Sequence, residues 1–182
     1  MIRVRPVRFR SMSNTTAFEI RDSPVSGKGA FALRVIRKGE RFIEYVGERI
    51  THEAADALYD DDTMGEHHTF LFTVSSRTVI DASRGGNASR FINHSCAPNC
   101  EAEISRSRVF ISALREIAVG EELSYDYAYQ RSGEETERDE ELYRCLCATA
   151  DCRGSIMEPP AEFARRAKAS AASRAPRQRQ IA

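Results

Sequence analysis

The chain has 182 residues, 41% hydrophobic and 30% charged, a near-average globular composition with length for one cored domain plus tails. No apolar run approaches the ~20 residues of a membrane helix, and the N-terminus lacks the apolar stretch of a secretory signal, so no membrane partner and an intracellular protein (cytoplasm, nucleus or nucleoid) are expected, with a mitochondrial transit peptide the lesser reading of the Arg-rich, acid-free start. The zero net charge hides an asymmetry, with residues 1–10 carrying +4, residues 161–182 carrying +5 and the middle −9; such a middle attracts basic partners, and any nucleic-acid contact belongs to the basic ends.

In chain order, the Arg-rich residues 1–16 read as a disordered arm. From residue 18 to 33, short apolar pieces alternate with glycine turns, among them Gly27-Lys28-Gly29-Ala30-Phe31. Residues 41–45 read as a strand. Residues 51–59 read as a short helix with Thr51 as its cap and Glu53 in its first turn, and Asp60-Asp61-Asp62 marks a loop. Residues 70–74 and 78–80 suit a strand pair around the polar turn Ser75-Ser76-Arg77. Residues 109–113 form another strand. Residues 123–127 alternate, so Leu123, Tyr125 and Tyr127 should share one face. Residues 131–143 are mostly charged and read as a linker or mobile loop. Pro159-Pro160 is expected to end the ordered part, leaving residues 159–182 as a basic tail, loose or marginally helical. So many short strands predict a mainly β fold with short helices.

Five cysteines are present: Cys96, Cys100, Cys145, Cys147 and Cys152. An odd number without a signal peptide argues against a disulfide framework. Cys145-Leu146-Cys147 and Cys152 offer three thiolates close together, and a structural zinc wants four. The fourth must come from Cys96 or Cys100; the alternative is that the thiols are small buried hydrophobes. Four thiolates would leave no open position for water, which argues against a zinc hydrolase. Two further segments stand out. Arg90-Phe91-Ile92-Asn93-His94-Ser95-Cys96 sets an Asn and a His side by side, which alone suits a capped turn with a satisfied histidine. Gly120-Glu121-Glu122-Leu123-Ser124-Tyr125-Asp126-Tyr127 projects two tyrosines the same way, which alone suits an aromatic pair in a core.

Taken in order, these three segments resemble the SET domain of protein-lysine methyltransferases with its post-SET zinc motif. Residues 27–31 look like the family's N-terminal cofactor loop and Glu44-Tyr45-Val46-Gly47-Glu48 like its next block. The resemblance runs from residue 18 to 157, with a trithorax-like flavour in residues 70–100. It implies small antiparallel sheets with a C-terminal pseudoknot, a SET domain over residues 17–130, the linker at 131–143 and a post-SET segment at 144–158. It also implies S-adenosylmethionine as methyl donor, with Lys28, Gly29 and Ala30 beside it. Asn93 and His94 would hold it, with Arg90 nearby, Phe70 where relatives often carry Tyr, and Leu146 over the adenine. By the same resemblance, Cys96, Cys145, Cys147 and Cys152 hold one structural zinc and Cys100 is spare.

The catalytic set implied is Tyr127, Tyr125 and Tyr45, with Phe72 completing the channel wall. The Tyr127 hydroxyl would orient the lysine amine, and Tyr125 would favour mono- or dimethylation. The expected substrate is a basic protein such as a histone or histone-like protein. The short insert between Thr51 and Thr69, ending in His67 and His68 (read as surface residues), implies a substrate groove left incomplete without a partner protein. The alternative is a non-catalytic SET module that binds peptide or cofactor; a purely structural zinc adaptor would explain the cysteines but not the other motifs.

Overall fold

The computed structural model describes residues 16–59 and 69–174. The expected N-terminal arm, the Asp60-Asp61-Asp62 loop, His67, His68 and the end of the basic tail lie outside the described residues.

Four small sheets build the described core. Strands β1 (Phe18–Asp22) and β2 (Lys28–Ala32) form an antiparallel hairpin. Its turn is closed by a bond from the Ser23 amide to the Gly27 carbonyl (2.9 Å), and Gly27 takes the positive φ of +44° that the turn demands. The second sheet has the order β3-β9-β8, with β3 (Arg41–Tyr45), β8 (Cys100–Ser105) and β9 (Arg108–Ala113). Central β9 is buried from Val109 to Ala113, as expected of a strand covered on both faces. The third sheet has the order β4-β6-β5, with β4 (Glu48–Ile50), β5 (Leu71–Ser75) and β6 (Thr78–Asp81). The predicted pair around residues 75–77 is therefore present, with β5 shifted one residue along the chain and β6 one residue longer at its end. The predicted helix is α1 (His52–Leu58), capped by the Thr51 hydroxyl, which accepts from the Ala54 amide at 3.1 Å. Tyr59 ties its end to the fully buried Asp81 (2.9 Å).

The fourth sheet decides where chemistry can happen. Strands β7 (Asn93–His94) and β10 (Ser124–Tyr125) pair in parallel, Ser124 opposite Asn93 and Tyr125 opposite His94. Two residues per strand is too little to hold by itself, and Asn99 reinforces it: its amide nitrogen donates to the Glu122 carbonyl (2.8 Å) and its oxygen accepts from the Ser124 amide (2.9 Å). Leu123 and Tyr125 turn into the main core with Ile36, Ile92, Ile111 and Ile117, and Tyr127 packs against its edge. The shared face expected of residues 123, 125 and 127 is present, although the strand itself stops at Tyr125.

Two expectations are corrected. The charged residues 131–143 contain helix α2 (Glu137–Leu142), started by a full capping box between Thr136 and Asp139 and held by an Arg131–Glu140 ion pair at 2.6 Å. Charge density hid this helix because its stabilisation is local capping and ion pairing rather than an apolar stripe. Pro159-Pro160 does not end the order either. Pro160 opens α3 (Pro160–Arg174), at the first helical position, where a missing N–H costs nothing. Arg166 anchors α3 through the buried Glu158 carboxylate (2.5 Å) and the Arg131 carbonyl (2.7 Å). Among the described residues no helix is long and apolar enough to cross a membrane.

Candidate active site

The parallel pair brings Asn93 and His94 beside the tyrosines thirty residues downstream, and a cleft of about 720 Å³ opens against them. Lys28, Phe70, Arg90, Asn93, His94, Tyr127 and Leu146 all line it. Gly29 and Ala30 are buried and sit behind the wall rather than in it. Phe70 packs edge-on against Phe91 (5.8 Å), and the Arg90 guanidinium lies over both rings. Leu146 is 58% exposed, an apolar side chain at the cleft's outer lip.

From the cleft an aromatic run leads into the protein. Ring centroids lie 4.9 Å apart for Tyr127–Tyr125, 6.3 Å for Tyr125–Phe72 and 5.4 Å for Phe72–Tyr45. The Tyr127 hydroxyl donates to the Ile92 carbonyl (3.0 Å) and the Tyr45 hydroxyl to the Phe70 carbonyl (2.9 Å). Burial pushes the Tyr127 phenol well above its ordinary value, and the charges of Tyr129, Tyr45 and Glu122 add to this. Tyr125 and Tyr45 are raised in the same way, with burial the main cause. All three therefore stay protonated through neutral pH.

Some site residues escaped the sequence reading. Tyr129 extends the run outward, 6.0 Å from Tyr127 and 5.5 Å from Tyr143. Ala128 takes a positive φ of +46° between the two tyrosines, with its amide held by Asp126 at 3.0 Å; no residue type there signals such a bend. From α2, Arg138, Glu141 and Leu142 line the cleft. The repeated Tyr-x-Tyr-x-Tyr spacing was the signal that could have reached Tyr129.

The Cys96, Cys145, Cys147 and Cys152 sulfurs all lie within 4.8 Å of one another. Thiolates at ~2.3 Å from a tetrahedral zinc stand ~3.8 Å apart, and Cys96 is 3.7 Å from Cys145 and 4.0 Å from Cys152. Backbone amides of Cys147, Arg153 and Gly154 point at Cys145, Cys96 and Cys152 (3.4–3.5 Å), as suits anionic sulfur. The set fits a four-thiolate metal. Cys100 is fully buried elsewhere, against Asn99.

His94 joins the two halves of the site. Its Nδ1 accepts from the Tyr127 amide (3.1 Å), so the neutral ring carries its proton on Nε2, which faces the Cys96 sulfur at 3.4 Å. Burial pushes its pKa down to about 4, against the pull of Asp126. Asp126 in turn holds Arg153 in a two-pronged pair at 2.6 and 2.8 Å, tying the sheet to the cysteine segment. Removing this mostly buried pair with Arg153→Met should lower stability by about 1.5–3 kcal/mol. Arg144→Met, which breaks only the exposed pair with Glu141, should change it by less than about 1 kcal/mol. Urea unfolding at equal metal content checks both values.

A sheet-built fold whose parallel crossing sets Asn-His beside paired tyrosines, with a four-cysteine cluster at its rim, defines a SET-domain protein. The SET domain family model matches residues 27–128, and the chain belongs to that family. Proteins named "Histone-lysine N-methyltransferase, H3 lysine-4 specific" are similar to it. That of Neurospora crassa is 42% identical over 141 residues, 74% of this chain and 10% of that protein. That of Saccharomyces cerevisiae is 43% identical over 141 residues, 74% of this chain and 12% of that protein. That of Emericella nidulans is 38% identical over 161 residues, 85% and 12%. The chain thus spans about a tenth of the length of the curated relatives it matches.

Proposed function

We propose that this chain is a lysine methyltransferase domain that moves a methyl group from S-adenosylmethionine to the ε-amine of a lysine in a histone or histone-like protein. The observation that carries the reading is Tyr127, which belongs both to the wall of the 720 Å³ cleft and to the aromatic run behind it. Support also comes from the lining: backbone at Gly27 and Lys28, an Asn–His pair, aromatic faces and the apolar Leu142, Leu146 and Ile156 suit a nucleoside with a polar tail. Lys28, Arg90, Asn93 and His94 would hold the donor, Phe70 and Leu146 its flat part, and Gly29 and Ala30 would support that wall from behind. The acidic middle of the chain suits a basic substrate. Helix α1 is only seven residues long, so a partner that completes the substrate groove is part of the proposal.

The donor supplies an electrophilic methyl carbon on positive sulfur; every other requirement falls to the chain. A free lysine has a pKa near 10.4, so on the order of one molecule in a thousand is neutral at pH 7. The dry channel of Tyr45, Phe72, Tyr125 and Tyr127 disfavours the charged amine and raises the neutral fraction. With its proton committed to the Ile92 carbonyl, the Tyr127 oxygen offers lone pairs to an amine N–H. That steers the nitrogen lone pair along the channel, so alignment supplies much of the rate. The nitrogen–carbon bond forms as the carbon–sulfur bond breaks, sulfur keeps that electron pair, and the extra amine proton leaves to water.

The Tyr125 hydroxyl makes no hydrogen bond among the described residues, which leaves it to hold a water or the amine where a further methyl would sit. Wild-type product should be mono- or dimethyl-lysine, and Tyr125→Phe should add methyls, as intact-mass counting of the product reads out. Dominant trimethylation by the wild type would refute the role. The function itself is tested by radiolabelled transfer onto histone H3 peptides and mixed basic proteins, with mass spectrometry of the acceptor. Cofactor binding without any transfer, with a partner-containing extract added, would favour the non-catalytic module.

A further inference from the structure

The two adjacent glutamates after Gly120 are handled differently. Glu121 faces outward to Arg115, whose guanidinium holds its carboxyl down to about 2. Glu122 faces inward, and no cation pairs with it among the described residues. Its Oε1 instead accepts from two neutral donors, the Ser23 hydroxyl (2.7 Å) and the Asn93 side-chain amide (2.9 Å). The same Asn93 nitrogen lies near the Lys28 carbonyl (3.1 Å), the Ser26 carbonyl (3.3 Å) and Ser23 Oγ (3.1 Å). Every acceptor around that nitrogen sits on the β1–β2 hairpin or on Glu122, so the Asn93 amide is fixed with its NH₂ toward the hairpin.

Gly29 belongs to the same arrangement. A Cβ at that position would run into Glu122 Oε1 and Ser23 Cβ, so glycine there leaves the space the carboxylate fills. The backbone around Glu122 is equally fixed, since it bridges Phe31 and the Leu123 amide donates to the Ala30 carbonyl (2.8 Å). The Glu122 carboxylate is half-buried and has no counter-ion among the described residues, so water screens its charge only in part. A cationic ligand on the other side of the wall is favoured by that charge.

We infer that Glu122 is a positioning residue whose carboxylate clamps Asn93 to the β1–β2 turn and whose unpaired negative charge biases the cleft toward a cationic ligand. This rests on the proposed methyl-donor site. The electrostatic reach is consistent with it, because after burial, Tyr129 and Tyr45, the Glu122 charge is a further cause of the raised Tyr127 phenol.

The test measures binding of S-adenosylmethionine and of its neutral product S-adenosylhomocysteine to the full zinc-loaded chain by calorimetry. These ligands differ at sulfur by one positive charge. Glu122→Gln keeps one acceptor oxygen for Ser23 and Asn93 and loses the charge, so its preference for the cationic ligand over the neutral one should fall about tenfold, with the neutral ligand bound as before. Glu122→Ala loses the clamp as well, and both dissociation constants should rise by about tenfold or more. A merely structural role would weaken both ligands equally and leave the preference unmoved in Glu122→Gln. An unchanged preference in that variant, or unchanged binding in a folded Glu122→Ala, overturns the inference; should Glu122→Ala not fold, the Gln variant decides alone. Wild type binding neither ligand would overturn the proposed function along with it, whereas failure of the variants alone leaves that function standing.

Discussion

Tyr127→Phe is expected to lower kcat by about 10²–10³-fold, the effect of losing one oriented polar contact in a preorganised site, while the protein stays folded. The substitution removes one oxygen and keeps the ring that packs on Tyr125, His94 and Tyr129. The stability cost is that of the bond to the Ile92 carbonyl, about 1 kcal/mol, or a melting shift of about 2–4 °C in a chain of this size. Donor binding should be nearly unchanged, so the loss falls on kcat rather than KM. The pH profile supplies a second check. A phenol loses its proton only as pH rises through its pKa, and burial holds that of Tyr127 above the ordinary value near 10. The wild-type rate should therefore climb as the substrate amine is deprotonated and show no falling limb before pH ~10. A Phe variant with wild-type turnover, or a wild-type profile that collapses near pH 9, would remove Tyr127 from the mechanism.

Much of this site was readable from the sequence because its parts are short, ordered and chemically distinctive. Cys145-Leu146-Cys147 with Cys152, the Asn93-His94 pair and Tyr125-Asp126-Tyr127 each suggest something modest alone. Only their order made them one site, and the parallel β7–β10 pair is the physical reason that order matters. What stayed hidden depends on contacts made at long range or on backbone shape. Strand β8 alternates apolar Cys100, Ala102 and Ile104 with polar neighbours, but its turn to β9 uses Arg106 and Ser107 at positive φ, where Asn-Gly would have announced a hairpin. Helix α2 is nearly all charge, and its capping box sits inside what reads as a linker. Glu122 and Ser23 lie 99 residues apart, and no local pattern in either segment points to the other.

The second large effect concerns the cysteine cluster. The purified chain should carry one zinc, and a strong chelator should abolish both donor binding and methyl transfer. The reason is where the thiolates sit. Cys96 follows His94 by two residues on the core side, while the other three belong to the segment that carries Leu146 and Ile156 to the cleft. Without a metal, that segment is held to the sheet chiefly by Asp126–Arg153 and the short Tyr129–Met157 bridge. Those contacts are worth a few kcal/mol, against about 10–16 kcal/mol of binding energy in structural zinc sites. Cys145→Ser should behave like the chelated protein, losing metal and donor binding together, with the core sheets still folded by circular dichroism. Cys100→Ala should keep a full equivalent of zinc, because that thiol is buried against Asn99 away from the cluster. Full activity in a metal-free protein would show that the cysteines only pack, and a Cys100→Ala protein that lost its zinc would mean that the ligand set is drawn wrongly.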